Sequence, residues 1–276
     1  MRKLLLVSIF AIQAVSAYSQ TYDFLKQHNH KGKVFVSWGW NQSKYSHSDI
    51  HFKGNDYNFT LKDVVAKDRQ TAFTLRYLNP SKITIPQYNF RIGYYITPKY
   101  SISFGFDHMK YVMQQDQTVK IKGNIAGSGT DFDGSYNGEP IKLTDNFLKF
   151  EHTNGLNYLN LELRRMDNLF DQRTLKVKNI DINLIEGVGA GLLYPKSDVT
   201  LLNYDRNDQW HVAGYGIDLL TGLNITFFKH FFIQGELKGG YINMPDILTT
   251  NFKDDRASQH FFFAQGNVNF GIMIKL

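Results

Sequence analysis

The polarity of this chain alternates residue by residue over long stretches, and no other feature of the sequence constrains the fold as strongly. In the stretch 214–228, "GYGIDLLTGLNITFF", large apolar residues fall mostly on one face, and Gly, Asp, Asn and Thr fall on the other. This pattern is typical of β-strands, because successive side chains of a strand point to opposite faces. The pattern recurs at 89–96, 100–113, 147–152, 156–165, 231–241 and 267–276. The sequence therefore predicts an all-β protein.

The second face of these strands distinguishes a membrane barrel from a soluble sandwich. A soluble sheet exposes its second face to water and favours Lys, Glu, Thr and Ser there. Here that face is rich in Gly, Ser, Asn and Tyr with isolated charges of both signs, which suits the crowded interior of a narrow barrel. The strands are also about 10–15 residues long, enough for a tilted strand to cross a bilayer. We expect an antiparallel up-and-down transmembrane β-barrel.

The first residues predict export. Arg2 and Lys3 precede an apolar segment that runs from Leu4 to about residue 15, and small residues follow it. This order is typical of a secretory signal peptide, and we expect cleavage after Ser19, with Ala17 as the second choice. The apolar segment is too short to span a bilayer as a helix. We therefore expect a signal peptide at 1–19, an N-terminal periplasmic segment at 20–32 and the transmembrane barrel at 33–276.

Composition narrows the possible partners. The chain contains no cysteine, which excludes disulfides and thiolate metal sites. Its 31 basic and 25 acidic residues are interspersed, so no basic stripe indicates nucleic acid. We expect neither a cofactor nor a metal site.

The C-terminal strand has apolar residues on one face up to the last position. Its end, "NFGIMIKL", resembles the signal that the assembly machinery recognises in Gram-negative outer-membrane β-barrel proteins. That signal has a polar residue, a glycine and two apolar residues at fixed positions, which are occupied here by Asn269, Gly271, Ile274 and Leu276. The resemblance implies a location in the cell outer membrane. It also implies outer-membrane lipid and lipopolysaccharide, the assembly machinery and periplasmic chaperones as partners.

The spacing of turns predicts about twelve strands, since a single-chain barrel with both ends in the periplasm needs an even number. In this count the short stretch 117–123 is treated as loop. A ten-stranded barrel, with 47–80 as an outer loop, is the alternative. Tight connections at 97–99, 153–155, 195–197 and 229–230 contrast with long polar segments at 114–145, 167–178 and 244–258. This contrast is typical of short periplasmic turns and long outer loops.

The stretch 150–162, "FEHTNGLNYLNLE", carries the candidates for catalysis. It partially resembles the His-x-Ser-Asn-Gly stretch of outer-membrane phospholipase A and of lipid A deacylases, in which His and Ser share one face of a strand. Here Thr153 directly follows His152, so the two side chains would point to opposite faces. We predict no enzymatic activity. His152, Thr153 and Glu162 are the weak candidates for a membrane-embedded lipid A or phospholipid hydrolase.

Charged and amide residues on the inward faces predict a polar network in the lumen. Charges of both signs should pair there, because an unpaired buried charge is costly. The predicted network consists of Lys149, Glu151, Asn160, Glu162, Arg164, Glu236 and Lys238. It indicates an outer-membrane barrel of structural or ligand-binding type with a polar, largely filled lumen. A small porin-like pore is the first alternative, and the lipid hydrolase is the second.

The C-terminal signal can be tested directly. Replacing Leu276 by Asp should prevent assembly into the outer membrane and leave export intact, because the change puts a charge at a fixed apolar position of the signal. Fractionation and the heat-dependent mobility of the folded chain on gels would measure this, with Lys275→Ala as the control outside the fixed positions. Wild-type assembly of the Leu276→Asp chain would contradict the predicted signal.

Overall fold

The computed structural model describes residues 29–70, 87–170 and 175–276. All seventeen strands in these residues pair antiparallel, which confirms the predicted fold class. Eight strands form the wall of a barrel: β1 (Lys33–Tyr45), β5 (Tyr88–Tyr95), β6 (Tyr100–Asp107), β11 (Tyr158–Phe170), β12 (Ile180–Leu193), β15 (Gly214–Phe227), β16 (Phe231–Leu248) and β17 (Arg256–Lys275). Nine others lie outside the wall: β2 (Ser48–Lys53), β3 (Tyr57–Val64), β4 (Ala66–Lys67), β7 (Tyr111–Met113), β8 (Thr118–Ile125), β9 (Gly134–Lys142), β10 (Leu148–His152), β13 (Lys196–Leu201) and β14 (Asn207–Trp210).

The wall strands pair in the order β1–β5–β6–β11–β12–β15–β16–β17, and β17 pairs with β1 from Lys33↔Lys275 to Tyr45↔Phe263. The pairings therefore form a closed ring. Paired residues followed once around the ring from His260 return to β17 at Phe270, ten residues further along. A stagger of this kind tilts the strands, and an eight-stranded barrel is just wide enough inside for side chains to fill it.

The wall has eight strands, so the predicted count of twelve, or ten, is corrected. Strands β2, β3, β8 and β9 extend the sheet from the beginning of β17 without joining the ring, and β4, β7, β10, β13 and β14 form a second sheet. The stretch 117–123, treated as loop in the prediction, belongs to β8, which pairs with β3 and β9. Alternation identifies a strand but does not say which strands it pairs with. Residues 71–80 of the alternative outer loop 47–80 lie outside the described residues.

The outer face of the wall is apolar and exposed. The exposed fraction is 65% for Leu219 and 61% for Leu161, where a soluble domain would bury such side chains. Exposed aromatic residues lie toward both ends of the wall. Tyr215 lies near the beginning of β15, and Phe231 lies just beyond the other end of that strand, at the beginning of β16. An apolar band between aromatic residues is the surface that a transmembrane barrel presents to lipid. Among the described residues, no helix is long and apolar enough to cross a membrane.

The two ends of the barrel differ. At the near end, the chain enters β1 at Lys33 and leaves β17 at Lys275, and short turns join β5 to β6 and β15 to β16. At the far end, the wall strands are joined by the connections 46–87, 108–157, 194–213 and 249–255, whose described parts we call the cap. The predicted turns 153–155 and 195–197 belong to the cap, as does the segment 114–145, which contains β8 and β9.

One large hydrophobic core joins the cap to the far mouth of the barrel. Cap residues such as Phe52, Phe59 and Phe150 belong to the same buried cluster as the wall residues Tyr158 and Phe261. The wall therefore has an apolar inner surface at this end, on which the cap packs. The cap is an integral lid made of several segments that are far apart in sequence.

Candidate functional site

Inward-facing side chains of four wall strands bring six charges together in the lumen. Strands β5, β6, β11 and β16 supply them at positions that alternate with the lipid-facing residues. The three cations and three carboxylates are Arg91, Arg164 and Lys238 with Asp107, Glu162 and Glu236. Because the two signs are equal in number, the cluster is neutral when all six groups are charged.

Lys238 lies at the centre of this cluster. Its side chain is completely buried, and Nζ donates to Asp107 Oδ2 at 2.5 Å and to Glu162 Oε1 at 2.8 Å. In the ring, β12 and β15 lie between β16, which carries Lys238, and β11, which carries Glu162. These contacts therefore cross the lumen and do not run along the wall.

Two arginines complete the connection between the carboxylates. Arg91 donates to Glu162 at 3.0 Å and to Asp107 at 3.3 Å. Arg164 donates to Glu162 at 2.6 Å and to Glu236 at 2.5 Å. Charge-assisted bonds of this length are among the strongest hydrogen bonds in proteins. Each carboxylate thus receives at least one cation, which compensates for the cost of burying it.

Glycines in the wall make room for the charges. A Cβ added to Gly189 would lie 2.5 Å from Asp218 Oδ2 and 2.8 Å from Glu162 Cγ. A Cβ at Gly105 would lie 2.6 Å from the guanidinium of Arg91. The "GVGAG" stretch at 187–191 is therefore a place where the wall approaches the lumen side chains closely.

An apolar layer closes the lumen on the near side of the charges. Seven of the wall strands each contribute one buried inward residue to it: Phe35, Tyr95, Met166, Ile185, Leu220, Phe232 and Met273. The cavity bordered by this layer measures about 20 Å³, and the gap bordered by Arg91, Arg164 and Glu236 about 0 Å³. A wider cavity of about 230 Å³ lies at the near mouth, beside Lys33, Asp181 and Lys229. The described lumen thus narrows from an open mouth to a filled centre.

The structure brings together five of the seven residues predicted for the polar network. Asn160 joins the charged residues, because it donates to Asp107 at 3.1 Å. Lys149 and Glu151 are the exceptions. They lie on β10 in the cap, where Lys149 is exposed and Glu151 pairs with Arg69 at 2.9 Å. The alternation of β10 resembles that of a wall strand, but its partners are β7 and β13.

Sequence reasoning missed Arg91 and Asp107 as members of the network. Both occupy the polar face of a predicted strand, so the alternation already placed them inward. Each is the single inward charge of its strand, and the two side chains lie 3.3 Å apart. The contact is a diagonal pair across the β5–β6 hairpin, because Arg91 lies opposite Gly105 and Asp107 lies opposite Asn89. The signal that could have found it is the register of this hairpin.

The catalytic candidates do not converge. Glu162 lies in the lumen, whereas His152 and Thr153 lie in the cap, where Thr153 Oγ1 donates to Glu151 at 2.9 Å. His152 instead has Ser197 as a partner, with 3.0 Å between Nδ1 and Oγ. The two residues are 45 positions apart in the sequence, and sequence reasoning did not predict their contact.

The contact between His152 and Ser197 has the geometry of a structural hydrogen bond. Both side chains are buried, and Gln259 Nε2 lies 3.4 Å from His152 Nε2. Both ring nitrogens thus have a polar neighbour, Ser197 Oγ on one side and the Gln259 amide on the other, and these contacts hold the ring in place. Burial also lowers the pKa of His152 to about 3, which keeps the ring neutral.

The residues of the predicted assembly signal lie on both faces of β17. Asn269 is buried in the lumen and donates to Glu236 at 3.4 Å, while Ile274 and Leu276 are exposed at the near end. Their role in assembly stays a prediction. In the described part of the chain, no three His, Cys, Asp or Glu side chains are grouped so that they could hold a metal ion.

Comparison with known proteins gives a likeness of fold only. No protein-family model and no curated protein matches the chain. Similar solved structures include the outer membrane protein OprG from Pseudomonas aeruginosa (11% identity, 91% of this chain and 99% of that chain, TM-score 0.39). Neisserial surface protein A is another (9% identity, 89% and 98%, TM-score 0.33), as is the outer membrane protease OmpT from Escherichia coli (7% identity, 92% and 100%, TM-score 0.27).

The class of protein follows from this chain's own architecture. The strands close into a ring, the outer wall is apolar and exposed, and the interior is polar and ion-paired. This is the inverse of a soluble domain, and it defines a β-barrel of the outer-membrane type.

Loss of the central cation should destabilise the whole barrel. Lys238→Met removes a partner from two buried carboxylates, and such a change costs about 3–5 kcal/mol of unfolding free energy. Lys149→Met is the matched control and should stay within about 0.5 kcal/mol, because Lys149 is exposed. Urea unfolding of the refolded barrel in lipid vesicles measures both. Equal stabilities would indicate a hydrated lumen.

Burial of His152 predicts a pH-dependent stability of the cap. Its pKa falls from 6.5 to about 3 on folding, so the unfolded chain binds a proton that the folded cap excludes. The free energy of unfolding therefore decreases as the pH falls below the unfolded-state pKa of 6.5 toward the folded-state value of about 3, by about 2 kcal/mol between pH 7.5 and pH 5. His152→Asn should lose this part of the pH dependence, measured by unfolding at both pH values.

The same variant also tests the catalytic alternative. His152→Asn should leave any release of fatty acid from lipid A or phospholipid unchanged. A purified protein that releases fatty acid, and loses the activity in this variant, would contradict the structural role of His152.

Proposed function

We propose that the protein is a non-conducting outer-membrane β-barrel of structural or ligand-binding type, which carries a folded cap at the external face. The observation that carries this proposal is the position of Lys238, which bridges β16 to carboxylates of β6 and β11 across the lumen. The apolar layer on its near side and the cap core on its far side add two further barriers. A solute or ion would have to disrupt all three.

The asymmetry of the connections supports the orientation. At the near end the chain enters β1 and leaves β17, and the connections 96–99, 171–179 and 228–230 join the strands; the far end carries the much longer connections 46–87 and 108–157. In bacterial outer-membrane barrels the short turns face the periplasm. We therefore assign the near end to the periplasm and the cap to the exterior. As partners we propose outer-membrane lipid and lipopolysaccharide, together with the assembly machinery and periplasmic chaperones during biogenesis.

We assign no enzymatic activity to this barrel. The separation of Glu162 from His152 and Thr153, and the burial of the contact between His152 and Ser197, support this assignment. The cap surface is then the part of the molecule that remains available for binding, because the lumen is filled.

Planar-bilayer recording distinguishes this proposal from the pore alternative. Refolded protein, shown to be folded by its heat-dependent mobility on gels, should insert without producing discrete conductance steps, because the centre of the lumen is filled. Reproducible steps that scale with salt concentration would identify a pore and overturn the proposal.

A further inference from the structure

The outer face of the sheet extension formed by β2, β3, β8 and β9 is polar, in contrast to its inner face. The inner face contributes Phe52, Leu61 and Ile121 to the cap core. No large apolar residue is exposed on the described residues of these four strands. The outer face presents lysines among amides and hydroxyls, with Lys62, Lys120 and Lys122 at its centre and Asn58, Thr60 and Asn124 around them.

The three lysines are neighbours on this face. Lys62 and Lys120 are directly opposite each other in the β3–β8 register, and Lys122 follows two residues later on the same face. Like charges directly opposite each other destabilise a sheet. Asp49 compensates Lys62 at 2.6 Å, but among the described residues no carboxylate forms an ion pair with Lys120 or Lys122. The cluster therefore has an excess of positive charge that an anionic ligand would neutralise.

The same face is continuous with the lipid-facing wall. In β17, Arg256 pairs with Lys53 and Ser258 with His51, while Phe262, a few residues along, is exposed on the apolar wall. The lysine face thus continues the outside of the barrel just beyond its apolar band. A polybasic surface at this position faces the charged headgroups of the adjacent leaflet.

We propose that Lys62, Lys120 and Lys122 form a binding site for phosphate groups of lipopolysaccharide in the leaflet around the cap. The inference rests on the proposed function, because it requires the cap to lie on the external side. The lysines neutralise phosphate as point charges, and the neighbouring amide and hydroxyl groups hydrogen-bond sugar hydroxyls. The open, polar surface of the sheet suits a glycolipid headgroup, which has no apolar part to bury there.

Binding of purified lipopolysaccharide to the detergent-solubilised full chain tests this site. The double variant Lys120→Gln with Lys122→Gln should bind at least about tenfold more weakly than the wild type at low salt. The difference should shrink as salt is added. The matched control, Lys149→Gln with Lys275→Gln, removes two exposed charges elsewhere and should bind like the wild type. Dephosphorylated lipopolysaccharide should bind the wild type and the Lys120/Lys122 variant equally weakly.

Two results would overturn the proposal. One is unchanged binding of phosphorylated lipopolysaccharide by the Lys120/Lys122 variant, once its fold is verified by heat-dependent mobility. The other is that the wild-type protein binds a sulfated polysaccharide and does not bind lipopolysaccharide, which would indicate a ligand outside the membrane.

The location of the cap is measured separately. The chain has no cysteine, so Asp131→Cys in an exposed cap loop gives a unique site for a membrane-impermeant maleimide on intact cells. If this cysteine is labelled and the Lys120/Lys122 variant still binds lipopolysaccharide like the wild type, the lysine site is overturned and the proposed function stands. Absence of labelling in intact cells, with labelling after lysis, overturns the proposed function.

Discussion

A strand in hydrocarbon has no water to satisfy its backbone, so the sheet must close on itself, and the rest of this structure depends on that closure. The pairing of β1 with β17 meets the requirement with eight strands. A ring of this size has an interior only as wide as its side chains. Closure therefore creates the crowding that Gly105 and Gly189 relieve, and it brings Lys238 within 2.8 Å of Glu162 across the lumen.

The lumen charges also fix the register of the wall. A shift of one residue in β16 would turn Glu236 and Lys238 toward lipid and Leu237 toward the lumen, since the side-chain period of a strand is two. A charge near the middle of the bilayer is costly, so the shifted pairing is strongly disfavoured. A buried ion pair is weak evidence for stability by itself. We infer that its contribution here is to select one register among several that would satisfy the backbone equally well.

The sequence predicts the strands of this protein better than it predicts their arrangement. The alternating stretch 214–228 coincides with β15, and the inward positions of Asn160, Glu162, Arg164, Glu236 and Lys238 follow from alternation alone. Strand number and membership of the network do not follow from it, because β8 and β10 alternate as regularly as wall strands while they pack in the cap. A solid cap core and a lipid-facing wall both require one apolar face per strand. Cap strands and wall strands differ in the strands with which they pair, and this pairing depends on contacts between residues far apart in the sequence.

The contacts formed in the folded protein also decide which of its polar groups a partner can reach. His152 and Ser197 are brought to 3.0 Å by the cap fold, yet burial removes the access that a reaction needs. The charged lumen is filled by its own side chains, so polar groups there stabilise the barrel and are closed to a ligand. What remains is the outside: an apolar wall matched to lipid, and above it a cap whose polar face carries Lys62, Lys120 and Lys122. The chemistry available to a partner is therefore that of a surface, and it is concentrated where the barrel leaves the membrane.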